Sequence, residues 1–381
     1  MRPLTQTLVL THLSFLGIAQ RKWSALVLVS SVACVIGVLL SMLSVTAGML
    51  RAYRSGEDPQ QAVVMAPQNS KVSKSEIGII LNAPGIAKSA DGHPLGDGEV
   101  GMWVPPMGPY VIGSPNLRGI GAAGFTLRPQ LKVIEGRPFR SGRHEVILGV
   151  AAARTFQLRV GDLILLAGGP WAIVGTFTDD GSMLESEMLT DTDTLIADGQ
   201  VSAYDSVLVK LRNAAAFDDF AHWLATNPNL DETAERQSDY ALRTANRNSA
   251  FFTTLAYAVA AMMALGALFG TVKLMYAAVG VRTRELATLR AIGYQPLPVA
   301  LSVLFETLVL ALLGALVGVA LAWLLFNDKH VVQARNVFDL SVSPRLVALG
   351  VAWAVALALL GGLPPAIRAA RRSVTDALRA V

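Results

Sequence analysis

The chain has 381 residues, of which 52% are hydrophobic and 16% charged, with a formal net charge of +4. Soluble domains carry about 25% charged residues, so this composition, with a mean hydropathy of +0.47, excludes a wholly soluble protein. The basic balance does not point to nucleic acid: residues 51–250 hold 18 Lys and Arg against 23 Asp and Glu, which leaves the basic surplus beside the apolar segments.

Residues 1–22 place Leu4, Leu8, Val9, Leu13 and Leu16 largely on one helical face, with Thr, Gln and His opposite. This spacing predicts an amphipathic helix lying in the cytoplasmic membrane interface, the alternative being a plain extension of the helix that follows. Residues 23–50 carry no charge and are long enough to span about 30 Å of hydrocarbon. The run is longer than the apolar core of a signal peptide, so it reads as an uncleaved anchor and first transmembrane helix.

Residues 51–247 hold most of the chain's charge and read as a folded domain of ordinary soluble character. Strands are predicted at Ala62–Met65, Glu145–Leu148, Asp162–Leu166, Trp171–Phe177 and Ser206–Leu211, each bounded by turn residues. Helices are predicted at 73–82, 150–157 and 213–226, and a polar helical run over 234–248 enters the next apolar segment without Gly or Pro. The acidic run Asp179, Asp180, Glu185, Glu187, Asp191 and Asp193 lacks EF-hand spacing and reads as a solvated loop flanking a strand; binding of a cation or a basic partner is the alternative.

Residues 248–273 form a second membrane span, 298–326 a third and 346–367 a fourth, with a short loop at 327–345. Such spans are helices, because lipid cannot satisfy an exposed backbone. Gly266 and Gly270 in the second, and Gly314 and Gly318 in the third, have the spacing that lets helix backbones approach closely. Glu306 lies inside the third span, where a carboxylate is costly unless it faces protein or water. A structural pairing with a neighbouring helix is the plainer reading, ion coupling the alternative. Pro364 and Pro365 are expected to bend or break the fourth helix.

Between the second and third spans, residues 274–297 contain Val281–Gly293, in which Leu286, Leu289 and Ile292 recur every three residues beside Arg282, Glu285 and Arg290. A helix this short is not stable alone in water, so it packs either on the membrane surface or on a partner. Residues 368–381 form a basic tail. Arg2, Arg21 and Lys22, then Lys273, Arg282, Arg284 and Arg290, then Arg368, Arg371, Arg372 and Arg379 put the two termini and the 274–297 loop in the cytoplasm by the positive-inside rule. The fold class is therefore an α-helical membrane protein with four transmembrane helices and an inserted mixed α/β extracytoplasmic domain.

No catalytic or metal constellation is readable. His12, His93, His144, His222 and His330 are scattered, Cys34 is the only cysteine, and no Gly-Lys pair exists from which to build a P-loop. A chain of this kind is not an enzyme, and any ATP it uses is hydrolysed by another subunit.

Three segments carry a family resemblance. "RTRELATLRAIGYQPLPVALSVLFETLVLALLGALVG", "PPAIRAARRSVTDALRAV" and, in the 51–247 domain, "NLRGI", "VIEGRPFRSGRHEVILGVAAARTFQLRVGDLILLAGGPWAIVGTF" and "GSMLESEM" resemble the MacB/FtsX/LolC-type ABC transporter permeases with a MacB-like periplasmic core domain. The resemblance implies a multi-pass protein of the bacterial inner membrane that works as a homodimer, or with a close paralogue, on two copies of an ABC ATPase. It implies no cofactor on this chain, with ATP and Mg bound in the partner. Arg282, Arg284, Glu285, Leu286, Leu289, Arg290 and Gly293 become candidate ATPase contacts on a coupling helix, and Gly37, Ser41, Gly266 and Gly270 candidates for a dimer seam. The implied activity is export or extraction of a hydrophobic substrate (lipid, lipoprotein, peptide or drug-like molecule) by mechanotransmission, with a periplasmic adaptor and outer-membrane duct as further possible partners. An FtsX-like transducer that activates a periplasmic partner without transport is the alternative, and a stand-alone membrane sensor a third.

Overall fold

The computed structural model describes residues 22–55, 58–67, 70–104, 116–166, 169–199, 201–281, 288, 295–327, 329–333 and 336–371. The chain divides into two compact units: a helical unit of residues 1–47, 250–329 and 341–381, and a sheet unit of residues 48–249 and 330–340. The amphipathic segment at 1–21, nearly all of the 282–294 loop and the tail from 372 lie outside the described residues.

The helical unit draws on α1 (Lys22–Arg54), α7 (Gln237–Val281), α8 (Pro296–Phe326) and α9 (Pro344–Arg371), four helices long and apolar enough to cross a membrane. Their shared interior sets large residues of α1 against small ones of α8 and α9. Val32, Ile36 and Leu40 of α1 pack on Ala311, Ala315 and Ala322 of α8 and on Ala354 and Ala358 of α9. The outward faces carry Leu, Phe and Trp, including Phe269, Leu316 and Leu324, as lipid requires.

The helix α9 does not break at Pro364 and Pro365 but continues to Arg371. Pro removes an amide donor and crowds the carbonyl four residues back. Here that carbonyl belongs to Leu360 for Pro364 and Gly361 for Pro365, and the segment is clamped: Gly361 sits against Thr271 and Gly362 against Thr307. Tertiary packing of this kind lets a membrane helix tolerate proline.

The sheet unit contains a mixed sheet whose strands, in spatial order, are β10 (Thr233–Arg236), β1 (Gln61–Met65), β9 (Ser206–Lys210), β2 (Gly96–Trp103), β3 (Asn116–Ile120), β8 (Met188–Asp191), β5 (Glu145–Gly149), β7 (Gly169–Thr178) and β4 (Lys132–Gly136), with β6 (Leu163–Leu166) also on β7. Strand β2 is the joint of this sheet. Its residues Gly96–Glu99 pair with β9 and its residues Val100–Trp103 with β3. On the β9 side, α2 (Lys74–Leu81) and α6 (Ala216–Thr226) cover one face, where Ala62, Val64, Val207 and Val209 meet Ile80, Phe220 and Leu224. On the β3 side, Trp171, Ile173, Val146 and Leu148 form a second core.

Strand β2 escapes prediction because Gly96-Asp-Gly-Glu reads as a turn. Its glycines are required by packing: a Cβ on Gly98 would lie 2.6 Å from both Ile77 Cδ1 and Tyr204 Cδ1. The loop at 327–345 is also not plain coil. It holds a hairpin, β11 (His330–Gln333) and β12 (Asn336–Asp339), and β12 lies against α4 (Val150–Phe156) and the 3₁₀ turn Met183–Ser186.

Candidate functional site

Side chains alternate across a strand, so the face of β1, β9 and β2 opposite the first core is occupied by Val63, Ser206, Leu208, Asp97 and Glu99. Arg118 of β3 joins them. Together with the end of α1 and the start of α7, these strands enclose a cleft of about 640 Å³, whose lining includes Tyr53, Arg118, Asp179, Gln237, Tyr240 and Asn248.

A buried ion network forms one wall. Arg118 Nε and Nη2 donate to Glu187 Oε2 and Oε1 at 2.6 and 3.0 Å, and Nη1 donates to Glu99 Oε2 at 3.0 Å. Arg128 Nη2 donates to the other Glu99 oxygen. Burial works to raise the Glu99 carboxyl, but Arg128 and Arg118 outweigh it and hold it below the usual carboxylate range. The Glu187 carboxylate, against the opposing effect of burial, raises Arg118 well above the ordinary guanidinium value.

Asp97, two residues from Glu99 on the same strand face, goes the other way. Burial, together with the neighbouring Glu99 charge, pushes its carboxyl up to about 7, although Gly121 N–H donates to both its oxygens at 2.9 Å. Paired buried ions are tolerated and unpaired ones are not, which separates the two acids.

The acidic run is not a solvated loop, and that expectation is corrected here. Asp179, Glu185, Glu187 and Asp191 are buried, while Asp180 and Asp193 are exposed. Each buried carboxylate has local work as an acceptor. Glu185 Oε1 accepts from Thr178 Oγ1 at 2.6 Å and from the backbone N–H of Asp179 and Gly181 at 2.7 and 3.0 Å. Asp191 caps α5 (Thr192–Ala197) by accepting from Thr194 N at 2.9 Å, and Glu187 holds Arg118. Turn N–H groups and a cross-strand arginine supply partners that composition does not reveal. Among the described residues, no group of three or more His, Cys, Asp and Glu is placed to hold a metal ion.

In the helical unit, the small residues named from sequence separate into two groups. Gly314 and Gly318 of α8 lie against α1: a Cβ on Gly314 would stand 2.8 Å from Val29 O, and one on Gly318 would stand 2.6 Å from Ala33 O. Gly37 faces Gly318 across the same contact, and Ser41 Oγ donates to Val38 O at 2.9 Å within its own helix. Gly37 thus packs inside this chain. Gly266 and Gly270 meet nothing within 4 Å where a Cβ would be, and line an open groove of about 280 Å³ between α1 and α7 that also exposes Cys34.

Glu306 is buried between helices, beside Ser24 and Ala25 of α1 and Leu274, Met275 and Ala278 of α7. It faces protein, which is the placement a structural role needs. Arg282, Arg284, Glu285, Leu286, Leu289, Arg290 and Gly293 all lie outside the described residues. Sequence reasoning did not find Asp97, Glu99, Arg118 or Arg128; the one available signal was the i, i+2 spacing of Asp97 and Glu99, masked by the intervening glycine.

Comparison with known proteins bears on both units. Residues 24–226 match the family described as MacB-like periplasmic core domain, and residues 257–374 match the FtsX-like permease C-terminal family. An uncharacterized ABC transporter permease of Bacillus subtilis (strain 168), YknZ, is 22% identical over 228 residues, which cover 58% of this chain and 57% of that relative. The chain thus matches little more than half the length of this relative. The crystal structure of the extracellular domain of a noncanonic ABC-type transporter YknZ from Gram-positive bacteria covers 46% of this chain and 98% of its own at 16% identity, with a TM-score of 0.35, too low to bear on the fold. The two family matches fall on the segments whose motifs carried the resemblance, and the chain belongs to the MacB/FtsX-type family of ABC transporter permeases.

Proposed function

We propose that this chain is the membrane subunit of an ABC machine that exports or extracts a hydrophobic substrate, driven by a separate ATPase. In this reading the sheet unit lies outside the cytoplasm and the 281–293 loop seats on the ATPase, where ATP and Mg bind. Closure of the ATPases is carried along the helices to the sheet unit, which acts on a lipid, lipoprotein, peptide or drug-like molecule. The observation that carries the reading is α7, which runs unbroken from Gln237 to Val281. At 1.5 Å per residue it is about 68 Å long, more than twice a hydrocarbon core. Its first turns lie among the residues of the sheet unit and its last residue adjoins the proposed ATPase contact, which supports a single helix as the transmitting element.

A second copy of the chain, or a close paralogue, fits the groove at Gly266 and Gly270, because close backbone approach is what small residues permit in lipid. The arginines beside the helix ends support cytoplasmic termini. An adaptor and an outer-membrane duct would complete the assembly on the far side.

The test is Glu285→Lys and Leu289→Asp in the full chain expressed with its ATPase. Both variants are expected to insert and fold, while the ATPase no longer co-purifies and substrate efflux stops. Continued ATPase association would remove the loop from its assigned role. Intact ATPase coupling with no substrate accumulating on deletion, and a cell-wall hydrolase recovered with the intact protein, would instead identify a transducer.

A further inference from the structure

The cleft of the sheet unit takes no part in the transmission just proposed, and its chemistry is that of a binding site. Its volume of about 640 Å³ falls within the roughly 300–1,000 Å³ usual for small-molecule pockets. Its lining is partly apolar, with Met49, Val63, Met183 and Leu208, and partly polar, with the hydroxyl and amide groups of Tyr53, Gln237, Tyr240 and Asn248. Asn248 Nδ2 donates to Tyr53 Oη at 3.0 Å, which fixes that phenol from the α7 side.

The charges of the wall do not cancel. Arg118 and Arg128 are matched by Glu187 and Glu99. This leaves Asp179, in the same lining and only 3% exposed, as one carboxylate in excess. Its Oδ2 accepts from Ser182 Oγ, and its Oδ1 is buried with no hydrogen-bond partner among the described residues. A buried acceptor without a donor is destabilising, more so when charged. Oδ1 is closed to bulk water in this state, and Asp179 lines the cleft.

We infer that this cleft binds an amphipathic organic cation, an amine joined to an apolar group, with its ammonium on Asp179 and its apolar part against Met49, Met183 and Leu208. An anion would meet arginines that are already held by Glu99 and Glu187, and a neutral molecule would leave Asp179 unpaired. The inference is independent of the ATPase-driven reading, since binding is measured on the chain alone.

The test uses the full chain in lipid nanodiscs at about pH 8, on the alkaline side because burial raises the Asp179 carboxyl from its ordinary value. Phenethylamine, phenethyl alcohol and phenylacetate are titrated by calorimetry, with empty discs subtracted. The amine is expected to bind at least about tenfold more tightly than the alcohol, the size of one hydrogen bond to a charged group, and the carboxylate not to bind. Asp179→Asn is expected to bring the amine down to the alcohol's affinity, while Asp180→Asn, an exposed neighbour, leaves it unchanged. Ala52→Trp, which fills the cleft from α1, is expected to abolish binding of both. Circular dichroism melts confirm that each variant is folded. Equal affinity for amine and alcohol, no saturable amine binding above empty discs, or amine binding that survives Asp179→Asn would each overturn the proposal.

Discussion

The two units of this protein bury opposite kinds of atom. In the helical unit the interior is apolar and glycine and alanine set its closest contacts, with α1 and α8 brought together until the backbone of Val29 and Ala33 meets Gly314 and Gly318. In the sheet unit the interior around β2 holds Asp97, Glu99, Glu187, Arg118 and Arg128. The difference follows from solvent. Lipid gives helices no hydrophobic reason to associate, so contact area must come from close approach. A domain with a hydrophobic core of its own can carry charge inside, provided each ion has its counter-ion.

The comparison is broken most directly by Glu99→Ala. It strips Arg128 of its carboxylate partner and Arg118 of one of two, so the sheet unit is expected to lose about 3–5 kcal/mol, read as a lowered melting temperature and faster proteolysis within residues 58–249. The neighbouring acid sharpens the point through pH. Asp97 keeps its proton to about 7 when folded, while in the unfolded chain it releases the proton near 4. Between these values the unfolded state binds fewer protons, so the Asp97 contribution to stability falls as pH rises, by roughly 4 kcal/mol across the window. Glu99, held low, acts in the reverse sense: its contribution is present above its ordinary pKa and is lost as pH falls. Asp97→Asn is expected to flatten the decline from pH 4 to 7 in melts of the purified protein.

For the helical unit, Gly318→Leu is expected to cost about 1–3 kcal/mol by forcing α1 from α8, whereas Gly266→Leu leaves subunit stability within about 0.5 kcal/mol and weakens self-association if the groove seats a second copy. Thermal melts alongside cross-linking in membranes read both. A smaller effect than that of Gly318 belongs to Ser73, which caps α2 by accepting from Glu76 N at 3.3 Å while Glu76 Oε2 accepts from Ser73 N at 2.6 Å. Ser73→Ala should lower stability by about 1 kcal/mol in the same melts.

Legibility in the sequence followed this contrast. The apolar runs could be read because a membrane span announces itself by length, and β1, β5, β7 and β9 because short β-branched or aromatic runs are bounded by turn residues. The helix at Lys74–Leu81 was readable from Ser73 and Glu76, its capping box. What stayed hidden depended on partners far along the chain. Glu187 and Arg118 are 69 residues apart, and Arg118 and Glu99 are 19 apart, so nothing local distinguishes these residues from surface charge. The same is true of Gly37, whose neighbour across the helix contact is Gly318. The cleft, enclosed by segments from both ends of the 48–249 stretch, had no local signature at all.

The hairpin β11–β12 has a consequence for how the protein is made. It belongs to the sheet unit, and Gly48 lies so close to Asp339 that a Cβ there would collide with its carbonyl oxygen. Yet the hairpin is translated only after α7 and α8. Synthesis proceeds from the N-terminus at roughly 5–20 residues per second, so the sheet unit emerges with its surface at α4 and the 3₁₀ turn uncovered and waits several seconds for its last piece. During that interval the surface that the hairpin covers in the finished unit is open to solvent, and the synthesis of α8 sets how long it stays so.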